Sequence, residues 1–239
     1  MTLFDHFFDL TDPGAALTDT ALTDTTLVNT VVVEDQQLAT LDRRLDRETP
    51  VTVINSTGAG GIPALARRTV NSCRVAAVQS SLRDPGDLVG NIARIAAAAR
   101  ELDPGVTLLV GIPDGYGWQQ AVEAAEAEEL VAVAGRISDE GLATRLSAFV
   151  EADLGFVVDG VDTIADLVGL AAAVDLLIDG PEIEAATKLL GGADHDQQLQ
   201  AIKDWPVDRA GRVRRRLRSV RTRDLAGITA GLTRSGLLT

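Results

Sequence analysis

Five short apolar runs, mostly β-branched, recur along the middle of the chain at Val51–Asn55, Val75–Gln79, Val106–Ile112, Leu130–Gly135 and Leu154–Asp159. Each leads into a turn rich in Gly, Ser, Asp or Pro and then into an Ala-rich amphipathic stretch, and the runs start 24 to 31 residues apart. That interval is the length of one strand-plus-helix unit. Strands joined by helical crossovers run parallel, so the repeat predicts an α/β fold with a parallel sheet under covering helices. The chain has 239 residues, close to the roughly 250 of an eight-unit barrel. We therefore read 1–239 as a single TIM-type (β/α)8 barrel domain, with an irregular last third.

The remaining elements follow from local pattern. Leu3–Leu10, with Phe4, Phe7 and Phe8, reads as a first strand or a lead-in to one, and Leu27–Val33 as the second strand. Between them, Asp12–Thr26 holds the near-duplicates Ala16–Thr20 and Ala21–Thr25. Two such short copies do not make a repeat array, so the segment reads as a capped helix or a loop. Helices are predicted over Asp35–Arg47, where Leu38, Leu41 and Leu45 share a face, about Pro63–Asn71, about Asp87–Leu102, after Trp118, and about Asp139–Glu151. Val174–Ile178 fits either a strand or the end of a helix from near Thr163, and the preceding Ala171-Ala172-Ala173 favours helix. Helices at Glu182–Leu190 and Asp196–Lys203 follow, then Val213–Arg221 as the eighth strand and a closing helix at Asp224–Ser235.

Composition excludes several functions. A formal charge of −13 disfavours a nucleic-acid partner, because phosphate binding needs basic surface. Lysine occurs only at Lys188 and Lys203, which leaves few candidates for Schiff-base chemistry. The one cysteine, Cys73, has no partner for an internal disulfide, and no charged segment followed by an apolar run opens the chain. Both point to a reduced, cytoplasmic setting. Ile164–Ile178 is interrupted by Asp166 and Asp175 and is too short to cross a bilayer, so no membrane partner is expected.

Parallel barrels gather their loops and helix N-termini at the C-terminal ends of the strands. The polar residues expected there are His6 and Asp9; Glu34 and Asp35; Asn55, Ser56 and Thr57; Gln79, Ser80 and Ser81; Asp114 and Tyr116; Arg136 and Ser138; Asp159 and Asp162; and Arg218, Arg221 and Arg223. From these we take Asn55, Ser56, Gln79, Asp114, Tyr116, Arg136, Arg218 and Arg221 as candidate ligand-binding residues, and Asp159 and Asp162 as candidate bases. Each has a plainer reading. Gly58-Ala59-Gly60-Gly61 either presents N–H groups to an anion or is a tight turn; it lacks a P-loop lysine. The arginines from Arg212 to Arg223 either grip an anion, as the last loops of barrels often do, or pair with an acidic surface. Asp114, Asp159 and Asp162 either hold Mg²⁺ or cap helices. We assign no metal and no cofactor. His6 is a general base or a surface histidine, His195 is solvated, Cys73 is inert packing, and Tyr116 and Trp118 wall a pocket or join the core.

The chain resembles an uncharacterised, mainly actinobacterial family of (β/α)8-barrel proteins. The resemblance is carried by Leu3-Phe4-Asp5, the Thr57-Gly58 turn with Ile62-Pro63-Ala64 behind it, and Ile112-Pro113 with Gly117-Trp118. It continues through Phe156 to Gly160, Leu217-Arg218-Ser219 and Gly236-Leu237-Leu238. It implies the barrel but no activity. The family pattern has a lysine after the Phe156 equivalent, a histidine pair shortly beyond the glycine, and an acid before Ile-Pro. This chain has Val157, then Asp162 and Thr163, and Gly111, with the amides Asn55 and Gln79 at two other strand ends.

Two functions remain open. One is a barrel that binds a small anionic metabolite with little or no catalysis, a degenerate relative of that family. The other is a lyase or isomerase of a small carboxylated or phosphorylated metabolite, with Asp159 or Asp162 as base and an arginine as oxyanion stabiliser. A homo-oligomer built through the Ala-rich helices is compatible with either.

Overall fold

The computed structural model describes residues 3–11, 26–135 and 138–238. Eight parallel strands close into a barrel in chain order: β1 Phe8–Leu10, β2 Val28–Glu34, β3 Thr49–Asn55, β4 Cys73–Ser81, β5 Thr107–Gly111, β6 Val131–Ala134, β7 Gly155–Asp159 and β8 Leu217–Thr222. The described helices are α1 Leu38–Arg44, α2 Ile62–Ala66, α3 Leu88–Ala99, α4 Trp118–Ala127, α5 Asp139–Glu151, α6 Ile164–Asp179, α7 Ile183–Leu190, α8 His195–Lys203, α9 Val207–Arg216 and α10 Leu225–Ser235. This is a TIM-type (β/α)8 barrel.

Strand alternation sorts the side chains into two layers. Val51, Val53, Val78, Val110, Ala132, Phe156 and Val220 join the main core between sheet and helices, while Ala77, Leu109, Val133 and Val157 form a small separate cluster inside the barrel. Helix starts are fixed by side-chain caps. Asp87, Ser138 and Asp224 accept from the N–H groups of Gly90, Gly141 and Gly227, and Thr163 makes a reciprocal capping box with Asp166.

The irregular last third is a helical insertion. The ambiguous Val174–Ile178 run is the end of α6, which is buried on nearly every side because α7, α8 and α9 pack over it. Asp175, 3 % exposed, accepts from Nε and Nη2 of Arg209 at 2.9 and 2.5 Å and lies 3.5 Å from Arg212. It clamps α9 onto α6. No described helix is long and apolar enough to cross a membrane.

Several boundaries differ from those the sequence suggests. Val213–Arg216 closes α9, and the eighth strand begins only at Leu217. Val213 is buried alone among exposed or half-buried arginines, which is a helical pattern. The helix expected to Asn71 stops at Ala66. Asp42 of α1 accepts from the backbone N–H groups of Asn71, Ser72 and Cys73 at 3.0, 2.7 and 2.8 Å, which turns the chain into β4. The first strand is only Phe8–Leu10. His6, at φ 49°, turns the chain before it, and Phe4, Phe7 and Phe8 pack edge to face at 6.0 and 5.6 Å. Of the Asp12–Thr26 segment, residues 12–25 lie outside the described residues.

Candidate functional site

Half of the barrel interior is polar. Asp9 of β1, 1 % exposed, accepts from Asn29 Nδ2 at 2.9 Å, Thr30 Oγ1 at 2.7 Å and Ser219 Oγ at 2.5 Å. Thr30 and Thr52 share a further hydrogen bond of 2.7 Å. Burial raises the Asp9 carboxyl above its ordinary value, against the pull of these hydrogen bonds and of the Arg221 charge. The facing half, from β4 to β7, is the apolar cluster of Ala77, Leu109, Val133 and Val157. Gln79, two residues beyond Ala77, has its Oε1 buried without a partner.

Above this polar layer, at the C-terminal mouth, lies a cavity of about 610 Å³. Its charged lining is Glu34, Asp159, Asp162, Arg221 and Arg223, with Thr11, Gly135 and Gly160 among its small and polar members. Arg221 is 2 % exposed, and its Nε and Nη2 have no hydrogen-bond partner. Strand register sets it beside Asp159 of β7 and Asp9 of β1, yet among the described residues neither carboxylate reaches it with a hydrogen bond or ion pair. Burial lowers the pKa of the guanidinium, and the charges of Asp9 and Asp159 oppose that shift. A buried guanidinium with idle donors is costly, and Arg normally uses its forked donors on carboxylate or phosphate.

Asp162, on the same rim, is occupied. Its carboxylate accepts from the Arg223 backbone N–H at 2.8 Å, from Arg223 Nε and Nη2 at 3.1 and 2.6 Å, and from Thr222 Oγ1 at 3.4 Å. Burial pulls this carboxyl upward, but the Arg223 hydrogen bonds and charge outweigh it and hold it below its ordinary value. Such a group is a poor proton acceptor near neutral pH. Asp159 lines the same cavity beside Arg221 with no such clamp.

The other predicted residues scatter. Asn55 faces outward: its Nδ2 donates to the Gly58 carbonyl at 2.6 Å and its Oδ1 accepts from Thr57 N and Oγ1. It thereby closes the Gly58–Gly61 segment into a 3-10 turn. Ser56 Oγ donates to Asp35, tying the loop after β3 to the loop after β2. Asp114 accepts from Nε and Nη2 of the buried Arg145 of α5, at 3.2 and 2.5 Å. It does not line the cavity that Asp159 and Asp162 share. Tyr116 is 99 % exposed. Arg136 lies outside the described residues. Arg218 is the clearest correction, because it stands at the start of β8 and lines the opposite, N-terminal mouth with His6 and Asp9. Cys73 is buried at the first residue of β4, and burial with the nearby Asp42 carboxylate pushes its thiol up to about 11, so it stays protonated.

Sequence reasoning missed Thr30, Thr52 and Ser219 as interior groups and Arg145 as the partner of Asp114. Alternation along β2 and β3 was the available signal for the two threonines; nothing local marked Arg145. Among the described residues, no group of three or more His, Cys, Asp or Glu is arranged to hold a metal ion. No family model and no curated protein matches the sequence.

Proposed function

We propose that the barrel binds a small anionic metabolite at its C-terminal mouth, with little or no catalysis, as a degenerate relative of the family it resembles. The observation that carries this reading is Arg221, a buried residue on the lining of a cavity of about 610 Å³ whose Nε and Nη2 have no hydrogen-bond partner. A carboxylate or phosphate seated there would take up the idle donors, converting a cost of the ligand-free fold into binding free energy. Glu34 and Asp159 on the same lining would turn away a bare polyanion and accept hydroxyl or amino groups, which favours a small, singly anionic, hydroxylated compound. The low catalytic output follows from the clamped Asp162 and from the structural duties of Asn55, Ser56 and Asp114.

The lyase or isomerase reading is favoured by one feature, the position of Asp159 beside Arg221 in the register of β7 and β8, on the same cavity lining. In it Asp159 takes a proton while Arg221 stabilises the resulting enolate. A thermal-shift screen against small hydroxy acids and sugar phosphates, run on the wild type and on Arg221→Met, tests the site. We expect stabilisation of the wild type that the variant lacks; equal shifts in both would remove the site from Arg221. Turnover of a stabilising compound, abolished by Asp159→Asn, would favour the enzyme.

A further inference from the structure

The N-terminal end of a (β/α)8 barrel is ordinarily a closed floor. Here it holds a second cavity, of about 590 Å³. Three register shifts open it, and each leaves one residue unmatched: Asn29 between β1 and β2, Ala76 between β3 and β4, and Arg218 between β7 and β8. All three line the cavity. Bulges bend a strand and re-aim the extra side chain, so the widening and the placement of Arg218 have the same origin. Gly155, at the start of β7, leaves room for it, since a Cβ there would stand 2.9 Å from Arg218 Nε.

The charge of this mouth is opposite to that of the molecule. The chain carries a formal −13, yet the charged lining is Arg74, Arg214 and Arg218 against Asp9 alone, with His6 beside them. Arg214 is held rigidly, its guanidinium 4.5 Å from the Phe7 ring centre and its Nη1 donating to the Arg218 carbonyl at 2.7 Å. Arg74 reaches Glu48 at 3.3 Å. Arg218 makes no side-chain hydrogen bond or ion pair among the described residues. Deeper in the barrel the lining is polar on one side, with Asp9, Thr52 and Ser219, and apolar on the other, with Leu109, Val131 and Val157.

We propose that this N-terminal mouth is a second ligand site, separate from the Arg221 cavity, which takes a small hydroxylated phosphate. Its phosphate lies between Arg218 and Arg214, and its hydroxyl end points toward Asp9, Thr52 and Ser219. Guanidinium donors match phosphate oxygens in pairs, and the oxygens of Asp9, Thr52 and Ser219 can exchange hydrogen bonds with a ligand's hydroxyl groups. The inference does not depend on Arg221.

Calorimetric titration with glycerol 3-phosphate and with inorganic phosphate tests it on four proteins: wild type, Arg218→Ala, Arg221→Met and Arg215→Ala. Arg215 is exposed and outside the cavity, so its variant measures the effect of removing any nearby charge. We expect glycerol 3-phosphate to bind more tightly than phosphate, to lose about tenfold or more in Arg218→Ala, and to bind Arg215→Ala as it binds the wild type, while Arg221→Met keeps the binding event that Arg218→Ala removes. Unchanged binding in Arg218→Ala, or an equal loss in Arg215→Ala, would overturn the site. Equal affinity for the two probes would overturn the hydroxyl floor. Loss in Arg221→Met alone would leave the C-terminal site standing and remove this one.

Discussion

Asp9 and Arg221 lie side by side in the register of β1 and β8, and burial acts on both, raising the acid and lowering the base. The consequences with pH have definite signs. An acid whose folded pKa is raised keeps its proton in the folded chain where the unfolded chain has lost it. Stability from Asp9 therefore rises as pH falls through its folded value and levels off below about 3.9, the unfolded value. Asp42 and Asp162 act the other way. Hydrogen bonds from Cys73, Ser72 and Asn71 hold the first below its ordinary value, and Arg223 holds the second; their contributions are complete above about 3.9 and are lost as pH falls through their folded values. Urea unfolding of wild type and Asp9→Asn between pH 7 and 4 isolates the first effect. The wild type should gain on the variant as pH falls, and a constant difference would mean that Asp9 is not the strained acid described. Little of this was legible beforehand. Asp9 looked like one of many polar residues near a strand end, and its partners Thr30 and Ser219 come from strands 21 and 210 residues away in sequence.

Elements were far more legible than contacts. The β-branched runs became β3 to β7 with only small boundary shifts, and α5 coincides with its predicted span, because Ser138 caps it and its apolar face is regular. Failures fell where a side chain overrides local propensity, as where Asp42 holds the backbone of residues 71–73 and the helix expected to Asn71 stops at Ala66. The α9–β8 junction failed for another reason: Arg214-Arg215-Arg216 carries no periodicity that tells helix from strand. One packing feature allows a quantitative test. At Gly169 of α6, a Cβ would stand 2.4 Å from the Leu189 carbonyl oxygen of α7. Alanine raises helix propensity by about 1 kcal/mol over glycine, but overpacking against a backbone atom costs about 1–3 kcal/mol. The clash wins where neither helix can retreat. Gly169→Ala should lower the unfolding free energy, measured by denaturant titration, and a stabilised variant would show that α7 moves freely on α6.

At the scale of the molecule, the barrel has two mouths with different electrostatics, and Asp9, Thr30, Thr52 and Ser219 line the N-terminal one. The α/β repeat announced the barrel, yet strand-end reasoning placed Arg218 and Arg221 together because they are three residues apart in one strand. The register shift at Arg218 and the length of β8 send them to opposite ends. On the function proposed above, Arg221 serves a ligand and not the fold. The most direct test of this is the unfolding free energy of Arg221→Met in the absence of any ligand, set against the wild type. If the guanidinium is idle, its removal should leave the protein at least as stable, with a gain of up to about 1–3 kcal/mol as the unmade hydrogen bonds disappear. If Arg221 is instead half of a buried ion pair with Asp9 or Asp159, its removal should cost about 3–5 kcal/mol, and that result would contradict the assignment.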